Sequence, residues 1–240
     1  MTDAASPFVT FYNQASGERI ELSGTTFDNW VAKTANFLHD DFDVTAGANI
    51  GLELPPHWLT PVWIAAIGKV GSTVLAGPRI NPRYSPLLDA VVVGPDSVTQ
   101  PPDADEVIAC SLRPLGLPFS DPLPPGVVDY SAEVRAHGDY FGSPQQVPAD
   151  QPVLVIGTSA WQQPELLEAA AELAHQWGVT KGGRLLVNDA DHDRTHPNLW
   201  LAQFTVPIVA DCSVVIVRNA TSGELDHIAQ QEQVTAIAAS

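Results

Sequence analysis

Asn49-Ile50-Gly51-Leu52-Glu53-Leu54 runs into Pro55-Pro56, then into an apolar stretch from about His57 to Lys69, then through Gly71 into Ser72-Thr73-Val74-Leu75-Ala76. The outer pieces are short and apolar, as strands are. The middle piece is long enough for a helix, opened by prolines and closed by glycine. Strand, helix and strand in this order predict a βαβ unit, in which the strands pair in parallel and the helix covers one face. The chain therefore reads as α/β, with parallel-sheet layers and helices on their faces.

Upstream, a polar lead ends in Ile20-Glu21-Leu22. Phe27, Trp30, Val31, Thr34, Phe37 and Leu38 then recur at helical spacing, with Thr26 as the expected N-cap and Asn29 as its weak capping-box partner. Downstream, short strands are expected at Ala90–Val93 and Glu106–Cys110. Pro114, Pro118, Pro122, Pro124 and Pro125 then make a stiff extended connector. In the second half Pro152 to Ile156 reads as a buried strand, Gly157-Thr158-Ser159 as a turn, and Pro164 to about Trp177 as a helix closed by Gly178. Leu185–Val187 and Val214–Val217 read as strands around a short helical stretch near Leu199–Phe204. The tail from Asp226 to Ser240 reads as a helix or a frayed end. The expectation is one domain over residues 1–240, or two lobes joined by the proline-rich segment 113–126.

The charge balance narrows the partners. Eleven Lys and Arg against 28 Asp and Glu give −17. Such a chain lacks the clustered positive charge that nucleic acid or an anionic membrane surface rewards. Cys110 and Cys212 lie far apart, without zinc-site spacing, and the N-terminus has no signal-peptide pattern. Trp58 to Ile67 is too short to cross a membrane. A cytoplasmic protein with reduced thiols is the expectation.

Several pieces together resemble the adenylate-forming superfamily of acyl-CoA synthetases, peptide-synthetase adenylation domains and luciferases. Thr26-Phe27-Asp28-Asn29-Trp30 resembles the Thr-Tyr-x-Glu-Leu helix start of that family. The segment from Val44 to Pro55 resembles its V-x-x-G-D-x-V-x-x-x-L-x-N strand, and Trp63 to Ser72 resembles its A-x-L-A-x-x-K-A-G-A helix end. Val179 to Leu186 resembles G-V-x-x-G-D-R-V-L, and Val206 to Val215 resembles P-L-L-x-G-A-x-x-V. The resemblance covers the front part of such an enzyme, and also points to an actinobacterial family related to it.

The departures bear on function. The family's phosphate loop reads Thr-Ser-Gly-Thr-Thr-Gly-x-Pro-Lys-Gly, in which backbone N–H groups, hydroxyls and a lysine hold ATP. The matching stretch here is Thr158-Ser159-Ala160-Trp161-Gln162-Gln163-Pro164-Glu165: shorter, without the lysine and later glycines, and with Trp161 bringing bulk. No Lys or Arg occurs from Ala136 to Thr180. The adenine-pocket motif, magnesium-binding glutamate, hinge and C-terminal lysine implied by the resemblance have no counterpart up to Ser240.

Two groups remain as site candidates. Gly157, Thr158 and Ser159, read as a strand-to-helix turn, could hold an anion or nucleotide weakly through N–H groups, although ordinary turn chemistry accounts for the same residues. Read as a hydrolase elbow, the turn has Trp161 where the motif needs glycine. His192 and His196, in the run Asp189 to His196, could face a ligand pocket or a metal, but their spacing matches no specific metal motif. The resulting expectation is a non-catalytic relative that needs no cofactor or metal and binds an acyl- or nucleotide-like small molecule, a protein partner or a second copy of itself. The alternatives are a hydrolase or metal-dependent enzyme using His192 and His196, and residual adenylation with a separate C-terminal part.

Overall fold

A computed structural model of the chain describes residues 4–77, 87–142, 145–189 and 196–239. The chain forms two compact units. The first comprises residues 1–28, 55–61 and 164–240, and the second 29–54 and 62–163. The proline-rich segment 113–126 lies wholly inside the second unit. The chain passes between units at 28/29, 54/55, 61/62 and 163/164.

The first unit holds a five-stranded sheet. Its order is β12 (Ala236–Ile237), β10 (Arg184–Asn188), β11 (Ser213–Arg218), β1 (Pro7–Asn13) and β2 (Glu18–Ser23). β1 and β2 form an antiparallel hairpin, while β11 pairs β1 and β10 in parallel and β10 pairs β12 in parallel. The expected polar lead is therefore a buried strand: Phe8, Val9, Thr10 and Phe11 are shielded on both faces. A strand covered on both sides loses the alternation that marks half-buried strands. The tail is helix α7 (Ser222–Gln231) followed by β12, with Thr221 and Glu224 making a full capping box. Ile228 and Leu225 of α7 pack on Tyr12, Leu186, Val215 and Val217.

The second unit holds a seven-stranded sheet. Its order is β7 (Val127–Asp129), β6 (Glu106–Ala109), β5 (Ala90–Val93), β3 (Asn49–Glu53), β4 (Thr73–Ala76), β8 (Leu154–Ile156) and β9 (Ser159–Trp161). All pairings are parallel except β8 with β9. Central strands β4 and β5 are buried at every residue, as is the middle of β3, as a parallel sheet with covered faces requires. The chain leaves β3 through helix α2 (Leu59–Lys69) to pair β4 on one side, and later returns to pair β5 on the other. Gly71 ends α2 at φ 77, and an added Cβ there would lie 3.0 Å from the Gln146 carbonyl oxygen and 3.1 Å from the Ala46 Cβ.

Helix α1 (Gly24–Phe42) begins in the first unit and continues into the second. Its cap is Ser23, whose hydroxyl accepts from the Thr26 N–H at 3.2 Å, and not Thr26 as expected. Within the second unit Phe37 packs edge-on to Tyr130, with ring centroids 5.6 Å apart, and Tyr130 shares a 2.7 Å hydrogen bond with the Thr34 hydroxyl. Burial pushes the Tyr130 phenol and Cys110 thiol well above their ordinary values. Both cysteines are free and buried. Among the described residues no helix is long and apolar enough to cross a membrane.

Candidate functional site

Gly157 and Thr158 are the two-residue loop of a hairpin. β8 and β9 pair antiparallel, with Ile156 opposite Ser159, Val155 opposite Ala160 and Leu154 opposite Trp161. Gly157 sits at φ 59, the conformation that a first loop residue needs in the tight turns matching strand twist. Helix α4 (Gln163–Gln176), the next helix after the short α3 (Tyr130–Glu133), begins only at Gln163. The expected strand-to-helix turn is thus absent: Ser159 lies in a strand, and the turn is no helix N-terminus with free N–H groups. A nucleophile elbow needs that same strand-to-helix turn, so Ser159 lacks the geometry for this role too. Trp161 is partly buried, and its carbonyl accepts from the Val153 N–H at 2.8 Å.

His196 belongs to the first unit, while the hairpin belongs to the second. His196 is exposed and caps helix α5 (Pro197–Gln203), its Nδ1 accepting from the Asn198 N–H at 3.4 Å. His192 lies outside the described residues. Asp189, at the start of the same run, pairs with Arg218 at 3.5 Å. Among the described residues no group of three or more His, Cys, Asp and Glu is placed to hold a metal ion. The short helical stretch expected near Leu199–Phe204 is α5 followed by α6 (Thr205–Ala210), with Phe204 breaking the run at φ −142 and ψ −57.

Three polar side chains that sequence reasoning passed over have perturbed acidities. His57, in the first unit, is 1% exposed, with its ring 4.5 Å from that of Phe11 and 5.6 Å from that of Trp58. Its Nδ1 accepts from the Leu59 N–H at 3.2 Å, which places the ring proton on Nε2, where it meets no partner among the described residues. Burial, helped by the charge of Arg218, pushes the imidazole pKa down to about 3, so the ring is neutral.

Glu232, also in the first unit and 4% exposed, ties three strands together. It accepts from the Tyr12 hydroxyl at 2.5 Å, Arg19 Nη2 at 3.0 Å and Arg184 Nη1 at 2.7 Å, while Arg184 also donates to the Thr10 hydroxyl at 2.7 Å. Burial alone would raise the Glu232 carboxyl, but the Tyr12 and Arg19 hydrogen bonds and the Arg184 charge hold it below the usual range.

Glu53, in the second unit, is half-buried at the end of β3. Burial raises its pKa, with the Ser97 hydrogen bond opposing. In the sequence Glu53 is one acid ending an apolar run, and His57 reads as a first-turn residue; neither carries a motif.

No protein-family model matches the chain. Among solved structures it superposes on the Brucella canis acyl-CoA synthetase with TM-score 0.77 and 16% identity, over 98% of this chain and 45% of that one. It superposes on the Streptomyces lividans acetoacetyl-CoA synthetase with TM-score 0.74 and 16% identity, over 98% of this chain and 40% of that one. The amide bond synthetase McbA from Marinactinospora thermotolerans matches at TM-score 0.66 and 13% identity, over 95% of this chain and 44% of that one. The fold is therefore that of the front part of acyl-CoA synthetases, and the chain spans less than half the length of these structures. A Mycobacterium tuberculosis (strain ATCC 25618 / H37Rv) TIGR03089 family protein is 30% identical over 235 residues, covering 98% of this chain and 92% of that protein. At that identity and coverage, the chain belongs to the TIGR03089 family.

Proposed function

We propose that this chain is a non-catalytic relative of acyl-CoA synthetases, one that binds a small molecule or a protein partner and does not form adenylates. The observation that carries this reading is the β8–β9 hairpin. Where the resemblance implies a long glycine-rich phosphate loop, two residues join β8 to β9, and Ser159, Ala160 and Trp161 are paired as strand. A triphosphate needs several converging N–H groups and a cation. A two-residue turn cannot wrap it, and no Lys or Arg occurs from Ala136 to Thr180. Glu165, in the first turn of α4, adds like charge. The placement of His196 as a helix cap gives the metal-dependent and hydrolytic alternatives no support.

The test is a thermal-shift series with ATP–Mg²⁺, AMP, CoA and fatty acids of several lengths. Ligand at about a hundred times its Kd adds roughly 2.7 kcal/mol and moves the melting temperature clearly. The expected result is no response to ATP–Mg²⁺, with any response confined to non-nucleotide ligands. A clear ATP–Mg²⁺ shift, together with pyrophosphate release on adding a fatty acid, would overturn the reading. Sedimentation velocity tests the protein-partner form through self-association.

A further inference from the structure

We infer that β2, an outer strand of the first unit's sheet, pairs antiparallel with β2 of a second copy of this chain about a two-fold axis through Ile20. The inference rests on the protein-binding form of the reading above and names the partner.

The backbone sets the geometry. The sheet has two edges, β12 and β2. β12 is two residues long, the short form that blunts an edge. β2 has six residues, Glu18 to Ser23, with neither Pro nor Lys to block pairing. The side to which each residue bonds follows from the chain just beyond the strands. After β1 the Gln14 N–H donates to the Arg218 carbonyl, on the β11 side, at 3.1 Å. After β2 the Gly24 N–H donates back to the Ser6 carbonyl at 3.2 Å. Backbone groups alternate sides along a strand, so Glu18, Ile20 and Leu22 bond to β1 in the observed register. The N–H and C=O of Arg19 and Glu21 therefore point out of the sheet, where they meet no backbone partner among the described residues.

The side chains select the occupant and the register. Arg19 and Glu21 share one face of β2, are exposed, and bridge each other at 2.7 Å. Arg19 is held in place by the Tyr12 hydroxyl, 2.8 Å from its Nε, and by Glu232, 3.0 Å from its Nη2. Its Nη1 has no partner among the described residues. Residues directly opposite in an antiparallel pair interact most strongly, and like charges there are unfavourable. A two-fold axis through Ile20 sets Arg19 opposite Glu21 of the second copy, and Glu21 opposite its Arg19. The outward backbone groups of both residues then form hydrogen-bonded pairs. On the other face the half-buried Ile20 meets its own copy at the closer, non-hydrogen-bonded spacing. An axis through Arg19 or through Glu21 would set like charges opposite instead. Two chains of net charge −17 repel at a distance, so they associate only through a locally matched contact of this kind. A pairing that is its own complement about a two-fold is the pattern of an isologous dimer.

The experiment is sedimentation equilibrium of the whole chain from about 1 to about 200 µM, the range in which modest interfaces dissociate. Wild type is expected to show a reversible monomer–dimer equilibrium. Glu21→Arg, which sets guanidinium opposite guanidinium twice, should weaken the dimer at least tenfold. Glu21→Pro should do the same, because it removes an N–H that faces away from β1 and spares the hairpin's own bonds. If circular dichroism shows the proline variant misfolded, Glu21→Arg decides. Mild oxidation of Ile20→Cys should give a disulfide-linked dimer, since the two side chains face each other across the axis. Glu168→Cys, exposed on α4, should give none, and both native cysteines are buried. A wild type that stays monomeric throughout, a dimer unmoved by Glu21→Arg, or a dimer that Ile20→Cys fails to link would each overturn the proposal. A monomer would leave the small-molecule form of the broader reading intact. Adenylate formation would overturn the broader reading and leave the pairing of β2 standing.

Discussion

Replacing His57 by asparagine should flatten the dependence of stability on pH. In the folded protein the imidazole stays neutral down to about pH 3, whereas unfolded it protonates near its ordinary value of 6.5. Between these values the unfolded state binds the extra proton, so stability falls as pH is lowered. The contribution is fully present above 6.5 and shrinks steadily on acidification. From about pH 7.5 to about pH 5, one such group removes about 2 kcal/mol. Asparagine cannot titrate, and its side-chain oxygen can accept the Leu59 N–H as Nδ1 does. It leaves a small void beside Phe11, which lowers stability equally at both pH values. The assay is urea unfolding of wild type and His57→Asn at both pH values, followed by tryptophan fluorescence and circular dichroism. The wild type should lose about 2 kcal/mol more than the variant on acidification. Equal losses would refute the reasoning, because the ring would then be reaching water or a proton acceptor in the folded state.

Glu232→Gln should cost about 2–3 kcal/mol, since it leaves Arg184 and Tyr12 facing a neutral amide; hydrogen exchange should show the loss concentrated in α7 and β12. The carboxyl of Glu232 is held low, so its contribution is present above its ordinary value of 4.5 and fades as pH drops through the depressed folded value. Gly71→Ala should lower stability by about 1–3 kcal/mol, combining a positive φ with contacts too close for a methyl. A urea midpoint equal to wild type would show that Gln146 and Ala46 yield freely. Thr221→Ala removes the N-cap of α7 and should cost about 1 kcal/mol, read as a lower thermal midpoint.

The βαβ unit was legible because its punctuation is local: Pro55-Pro56 before α2, Gly71 after it, and apolar runs short enough for strands on either side. β1 was hidden by its own burial. Phe8 to Tyr12 is covered on both faces, and only pairing with β2 and β11 identifies the strand. β9 failed for a related reason, because Ser159-Ala160-Trp161 is strand only by virtue of β8 beside it. That one hairpin moved both the anion turn and the serine elbow away from any helix start. The loss of phosphate-loop residues could be read directly from Trp161 and the missing lysine. Glu53 and His57 could not be found this way, since their perturbation comes from burial by residues distant in sequence. A lone acid or histidine carries no periodic signal.

The arrangement of the first sheet sets an order on synthesis. β1 leaves the ribosome before the other strands of its sheet, yet it is an interior strand whose parallel partner is β11, with Val9 opposite Val214. At about 5–20 residues per second, β1 waits on the order of 10–40 s for that partner to be made. During that interval the β1–β2 hairpin presents an open edge carrying Val9 and Phe11, while every strand of the second sheet is translated and can pair. The nascent chain therefore leaves the β1 edge unpaired for most of its synthesis. Yield in cells should depend on holdase chaperones that shield the first two strands until the last third of the chain emerges.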